Sequence, residues 1–187
     1  IEIEEVAPKI ADDFPVMAAI GQSNNSYTTV QLARYVTAVA NSGTVYEYTL
    51  LDHVEDSDGN VLKSYSPTVR NTVDVLTSNE WDAIHTGMRM VVENTKEFNG
   101  LSIEAAGKTG TAQQNLKRAN HALFVGYAPY DAPEISIATR IAYGYTSHNA
   151  AEVSRNIFAY YFGVEDSEDL LSGQAEDIES SSNEFND

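Results

Sequence analysis

The chain has 187 residues, 42% of them hydrophobic, which suits one soluble domain with a real core. Its 28 acidic residues against 11 basic ones exclude the basic footprint that nucleic-acid phosphates need, and no stretch approaches the roughly 18 uninterrupted apolar residues of a membrane-crossing helix. Zero cysteines leave no disulfide framework and no thiolate metal site, without choosing a compartment, and no signal sequence opens the chain.

Residues 1–20 mix acids with Pro8 and Pro15, show no clear period and read as a connector. The first helix is well signalled. Thr28 and Gln31 can form a capping box, apolar residues fall at Leu32, Ala33, Val36, Val39 and Ala40, and Gly43 can supply a left-handed stop. Val45 to Val54 and Val61 to Tyr65 are rich in β-branched and aromatic types and flank Asp58-Gly59, which predicts a hairpin outside the main sheet. Thr77 and Glu80 offer a second capping box. Trp81, Ile84, Met88, Val91 and Val92 then keep helical spacing to about Asn94, with Met88 and Met90 read as core fillers rather than a cofactor box.

After Gly100 comes Ala106-Gly107-Lys108-Thr109-Gly110-Thr111-Ala112-Gln113, an extended, poorly helical run in which one cation, small residues and hydroxyls crowd together. Lys108 can attract a carboxylate, Thr109 and Thr111 can hydrogen-bond one, and backbone N–H groups near Gly110 can hold an oxyanion if the strand lies at a sheet edge. A phosphate-binding P-loop fails on spacing, because Ser102 stands six places before Lys108 and Gly100 is two places off register. An ordinary strand with a surface lysine remains the bland alternative.

Two more strands follow at about His121 to Ala128 and Ile135 to Tyr143, joined by the Pro129 to Pro133 turn and hence antiparallel neighbours. Ile135, Ile137, Thr139, Ile141 and Tyr143 alternate with Ser136, Ala138, Arg140 and Ala142, giving one bulky face and one small face that accepts a closely packed helix. Asn149 is a plausible N-cap for a last helix with Ala150, Val153, Ile157 and Tyr160 on one face. Three antiparallel strands covered by helices make an α+β layer. From Lys108 to Arg155 there are five bases to three acids, the one locally positive part of the chain; residues 165–187 hold nine acids and no base and read as a solvated, disordered tail.

Other chemistry is weakly supported. Gly21-Gln22-Ser23-Asn24-Asn25 lacks the last glycine of a nucleophile elbow. His53, His85, His121 and His148 lie singly, with no metal-ligand spacing, and His121 reads as a structural histidine. Paired glycosidase carboxylates cannot be told from the surface acids.

The lysine octapeptide resembles the Lys-Thr-Gly-Thr-Ala-Gln motif of class B penicillin-binding proteins, the peptidoglycan D,D-transpeptidases. The resemblance continues in Gly21-Gln22, in Thr28-Thr29-Val30-Gln31-Leu32-Ala33 with Ala40-Asn41-Ser42-Gly43, in Phe124-Val125-Gly126-Tyr127-Ala128-Pro129, and in Asn149-Ala150-Ala151-Glu152-Val153 through Ile157-Phe158. Four blocks in order over about residues 20 to 163 are more specific than any one. Thr29, Ser23, Leu123 and Glu152 depart from the usual proline, glycine, tryptophan and proline, and none touches the lysine motif.

What the resemblance implies is a serine acyl-transfer enzyme without cofactor or metal, whose nucleophile sits in a Ser-x-x-Lys motif that this chain does not contain. Ser23-Asn24-Asn25 and Ser147-His148-Asn149 match the family's Ser-x-Asn by letter but fall out of order and read as decoys. The expectation is therefore residues 21–164 as the C-terminal part of a transpeptidase domain, a partial fold lacking its N-terminal part, after the 1–20 connector and before the 165–187 tail. By the same resemblance Lys108 and Thr111 are catalytic, and Thr109, Gly110, Ala112 and Gln113 bind substrate. Partners are stem peptides, β-lactam antibiotics and the upstream half of the protein, at the extracytoplasmic face of the bacterial plasma membrane. A D,D-carboxypeptidase, a β-lactamase, a β-lactam sensor domain and a non-catalytic binding module stay open as alternatives. With the upstream half absent, the strand Ile135 to Tyr143 is expected to leave a bare edge, favouring a homo-oligomer or swapped assembly.

Overall fold

A computed structural model describes residues 27–113, 117–165 and 170. The expected connector, the Gly21-Gln22 block, the Ser23 triplet and most of the acidic tail lie outside the described residues.

Helix α1 (Thr29–Ala40) begins at its expected box: Thr28 N–H donates to Gln31 Oε1 at 2.8 Å and Gln31 N–H donates to Thr28 Oγ1 at 3.1 Å. Two otherwise orphaned N–H groups are satisfied. Gly43, at φ +107°, turns the chain away, and a Cβ there would lie 2.5 Å from the Val73 carbonyl oxygen, so the turn needs glycine.

Strand β1 (Thr44–Tyr46) follows, then β2 (His53–Glu55), β3 (Val61–Ser64) and β4 (Val69–Thr72). The expected hairpin is β2 against β3, closed where Asp56 Oδ1 accepts the N–H groups of Asp58 and Asn60, and it stands apart from the main sheet. Val45 to Val54 is not one strand: β1 stops at Tyr46 and pairs antiparallel with β4, a strand the sequence reading missed. Val69-Arg70-Asn71-Thr72 is exposed throughout, so it shows no apolar alternation to read. Helix α2 (Ser78–Glu93) runs as expected from Thr77, whose N–H and hydroxyl both donate to Glu80, to Asn94.

The main sheet is antiparallel, in the order β5 (Ala106–Ala112), β6 (His121–Ala128), β7 (Ile135–Ile141). Its two faces build two cores. Ala122, Phe124 and Ala128 of β6 join Ile135, Ile137 and Ile141 of β7 against Ala150, Ala151 and Phe158 of helix α3 (Ser147–Tyr161). On the other face Ala106, Val125 and Tyr127 meet Val36 of α1 and Met88 of α2. Full burial of a side chain such as Phe124 or Phe158 contributes about 1.5–3 kcal/mol. The small face of β7 accepts α1 as expected, with the Thr37 and Ser136 hydroxyls 2.6 Å apart.

Three local expectations change. β7 ends at Ile141, because Tyr143 takes a left-handed conformation (φ 56°) and breaks the alternation. The N-cap of α3 is Thr146 rather than Asn149, whose side chain instead donates to the Gly144 carbonyl at 2.8 Å. The buried stripe of α3 is Ala150, Ala151, Ser154, Phe158 and Ala159, while Val153, Ile157 and Tyr160 are exposed. Small residues let the helix lie close to the sheet, where Ser154 meets the Thr139 hydroxyl at 2.8 Å. The whole is the expected α+β layer, an antiparallel sheet covered by helices.

Candidate active site

Strand β5 is fixed along its length before any ligand is considered. Arg89 of α2 donates Nη1 to the Ala105 carbonyl at 3.2 Å and Nη2 to Glu104 Oε1 at 3.1 Å, with Glu93 at 3.5 Å from Nε. Tyr130 N–H donates to the Glu104 carbonyl at 2.8 Å, tying the same corner to the end of β6. The Phe124 ring then lies across two glycines: a Cβ on Gly107 would come 2.3 Å from its Cζ, and one on Gly126 would come 2.6 Å from its Cε1. Pairing with β6 is unbroken from Ala106 to Ala112.

That register decides where each side chain goes. Lys108 is opposite Val125, Gly110 opposite Leu123 and Ala112 opposite His121, all on the face that carries α1 and α2. Thr109, opposite Phe124, and Thr111, opposite Ala122, are on the α3 face. Strand alternation thus separates the lysine from both threonine hydroxyls. Lys108 is exposed, and its Nζ donates to the Thr109 carbonyl at 2.7 Å; among the described residues no carboxylate pairs with it. Thr109, Gly110, Thr111 and Ala112 are half-buried and Gln113 is exposed.

Among the described residues β5 is an outer strand of its sheet, so one row of its backbone N–H and C=O groups has no partner strand there. An extended peptide can pair with such an edge, and a cation beside it favours an anionic one. Gly110 differs from Gly107 in what it is for. A Cβ at Gly110 would meet only Leu123 Cβ at an ordinary 3.5 Å, so packing inside the chain does not demand glycine there. Its missing side chain keeps the strand surface low where a ligand would lie.

The far end of β5 holds residues the sequence reading did not assemble. His121 is buried, as a structural histidine should be, and its Nδ1 accepts the Tyr143 N–H at 3.1 Å. Burial first, and Arg140 second, hold its pKa below the ordinary histidine value. Arg118 Nη1 donates to the Tyr143 hydroxyl at 2.6 Å, and Arg140 Nη2 lies 3.4 Å from both imidazole nitrogens. The excess of bases between Lys108 and Arg155 was the only signal for this group; its assembly depends on register and on the turn after β7.

A cavity near the C-terminal end of α2, lined by Arg89, Val92, Phe98, Leu101 and Glu104 among others, lies below the start of β5 and does not include Lys108. Ser147-His148-Asn149 is the first turn of α3, where His148 Nδ1 lies 3.0 Å from Glu97 Oε2. No group of three or more histidine, aspartate or glutamate side chains that could hold a metal ion occurs among the described residues.

Comparison with known proteins bears on these features. The family model described as the penicillin binding protein transpeptidase domain matches residues 11–159. Penicillin-binding protein 2A of Bacillus subtilis is 31% identical over 173 residues, covering 81% of this chain and 24% of that protein. A protein of Haemophilus influenzae named peptidoglycan D,D-transpeptidase MrdA is 30% identical over 167 residues, covering 78% of this chain and 25% of its own length. Among solved structures, penicillin-binding protein 2B of Streptococcus pneumoniae superposes with a TM-score of 0.74 at 26% identity, over 88% of this chain and 29% of the other. The chain spans about a quarter of the length of the curated relatives it matches.

Proposed function

Because this chain belongs to the penicillin-binding protein transpeptidase domain family, we propose that it forms the lysine-bearing wall of a class B D,D-transpeptidase site that cross-links peptidoglycan stem peptides. The serine is supplied by polypeptide outside these 187 residues, since no serine here has a lysine three places later. Its hydroxyl attacks the penultimate D-Ala carbonyl; the peptide C–N bond breaks, the terminal D-Ala leaves with a proton, and an acyl ester remains on the serine. An amine of a neighbouring strand then displaces the serine, forming the cross-link and returning the proton. A β-lactam enters by the first step alone.

In this reading the Lys108 ammonium supplies positive potential and a hydrogen bond to the proton relay. Thr111 lends its backbone N–H to the oxyanion, and the hydroxyls of Thr109 and Thr111 address the substrate carboxylate. Gly110, Ala112 and Gln113 present backbone along which the peptide lies extended. Residues 21–164 make up the domain fragment, 1–20 its connector and 165–187 an acidic tail, all placed at the extracytoplasmic face of the plasma membrane. No described helix is long and apolar enough to cross a membrane, so an anchor would lie elsewhere.

The observation that carries the reading is Lys108 itself, exposed on an outer strand with its ammonium folded onto the Thr109 carbonyl beside an unpaired backbone edge. The test is acylation of the longer, serine-bearing protein by a labelled penicillin. Lys108→Ala is expected to slow it on the order of 10²-fold or more. An unchanged rate would remove Lys108 from the mechanism.

A further inference from the structure

The cluster beyond the end of β5 has no role in the reaction as written above. In a chain with 28 acids and 11 bases, arginines have carboxylates at hand, and Arg70, Arg89 and Arg155 each meet one. Arg118 and Arg140 meet none among the described residues, although both are exposed. They converge on one aromatic hub instead. The Tyr143 ring lies 5.0 Å from the His121 ring and 5.3 Å from the Arg118 guanidinium, and Arg140 rests on the other participant, His121.

The hub is held in a costly conformation. Tyr143 and Tyr145 both take left-handed backbone angles, φ 56° and 65°, which bulky residues avoid. Three contacts hold this turn against the head of β6. Tyr143 N–H donates to His121 Nδ1, Tyr145 N–H donates to the Asn120 carbonyl at 3.1 Å, and Gly144 packs so closely that an added Cβ would lie 2.8 Å from Ile141 Cβ and 2.9 Å from Ala122 Cβ. A strained turn that presents two tyrosines beside two guanidinium groups with no carboxylate partner among the described residues is built to meet something anionic.

Register says from where. Gly110, Leu123 and Arg140 form one row across the sheet, on the same face as Lys108, and Ala112 sits beside His121 in the next row. Two strand spacings separate Gly110 from Arg140, roughly 9–10 Å. Gly110 and Ala112 raise almost no side chain at the outer edge, so a long side chain from a peptide lying along β5 can enter over them and lay its apolar stem across the half-buried Leu123, which stands between Gly110 and Arg140 in the same row.

We propose that Arg118 and Arg140, fixed around Tyr143 and His121 at the end of the lysine strand, form a second anion subsite that takes a carboxylate at the tip of a long side chain on the acyl-donor peptide. This rests on the acyl-transfer reading above. The site lies apart from the carboxylate terminus addressed by Thr109 and Thr111, and it selects donors by a residue upstream of the bond that reacts.

The experiment uses the longer, serine-bearing protein and two donor peptides with the same D-Ala-D-Ala end. One carries a free carboxylate on the upstream side chain; its twin carries the carboxamide. The wild type is expected to use the carboxylate donor at least about tenfold better in kcat/KM, the effect of a charge-assisted pair. The R118Q/R140Q variant should use the twins within about twofold of each other while still being acylated by benzylpenicillin, which has no group for this subsite. Equal use of the twins by an active wild type, an unchanged preference in the double variant, or loss of penicillin acylation in that variant overturns the subsite. A wild type inert toward penicillin and both donors sinks the acyl-transfer reading itself.

Discussion

At the scale of single residues, two glycines in one strand do different work, and only a structure separates them. Gly107 and Gly110 look equivalent in the octapeptide, both placed where a backbone must come close to something. For Gly107 that something is inside the chain: the Phe124 ring and the Val125 carbonyl oxygen fill the space a Cβ would take, the latter at 2.8 Å. Gly107→Ala should therefore destabilise by about 1–3 kcal/mol through overpacking, read as a lowered melting temperature. Gly110→Ala meets ordinary contact only, so its melting temperature should stay close to wild type and its cost should appear in acylation. Equal melting shifts for the two would show that the Phe124 ring can move aside and that the distinction is false. The sequence announced that small residues mattered here; it could not say which faced a ligand and which faced a ring, because that depends on the partner strand.

At the scale of elements, legibility followed how far apart the cooperating residues are. Both capping boxes were readable because Thr28 with Gln31, and Thr77 with Glu80, complete their hydrogen bonds within one turn. The β6 strand and the β7 alternation were readable from residue type alone. The β1–β4 pairing was not, since Thr44 finds Thr72 only after the chain has passed through a whole hairpin. The α3 stripe was misread because two apolar stripes run along that helix, and the smaller-sided one won the contact with the sheet. Nothing in the sequence connected Arg89 to the lysine strand either. It joins α2 to the corner before β5 through the Ala105 carbonyl and the Glu104 carboxylate, while Glu93 pairs with it along the helix, and its side chain is 19% exposed. Arg89→Met should cost about 1–3 kcal/mol, more than a surface ion pair, because the Ala105 carbonyl loses its donor. Amide exchange should quicken at Ala106 to Lys108 and stay unchanged in α3. Unaltered exchange at β5 would reduce Arg89 to a surface pair.

At the scale of the molecule, the two outer strands of the main sheet have unlike prospects. β5 carries glycines, hydroxyls and a cation along its edge and is suited to a passing peptide. β7 is seven residues long, half-buried along most of its length, free of proline and lysine, and carries isoleucine at three of the four positions of one face. Such an edge has few of the devices that keep strands from pairing. In these 187 residues nothing described lies beyond β7 in the sheet order, although α1 covers its face. The chain by itself should accordingly associate through β7, a symmetric antiparallel contact being the simplest closed solution. Opposing this is a net charge of −17, which repels one copy from another. The two effects separate with salt, since at about 0.1 M the Debye length falls to roughly 10 Å and the repulsion is screened while backbone pairing is not. Light scattering should then give a mass near 20.5 kDa in dilute buffer that rises toward multiples of it as salt and protein concentration increase. A single mass of 20.5 kDa at every ionic strength, with no binding of an apolar dye, would mean that β7 is already protected by residues of this same chain.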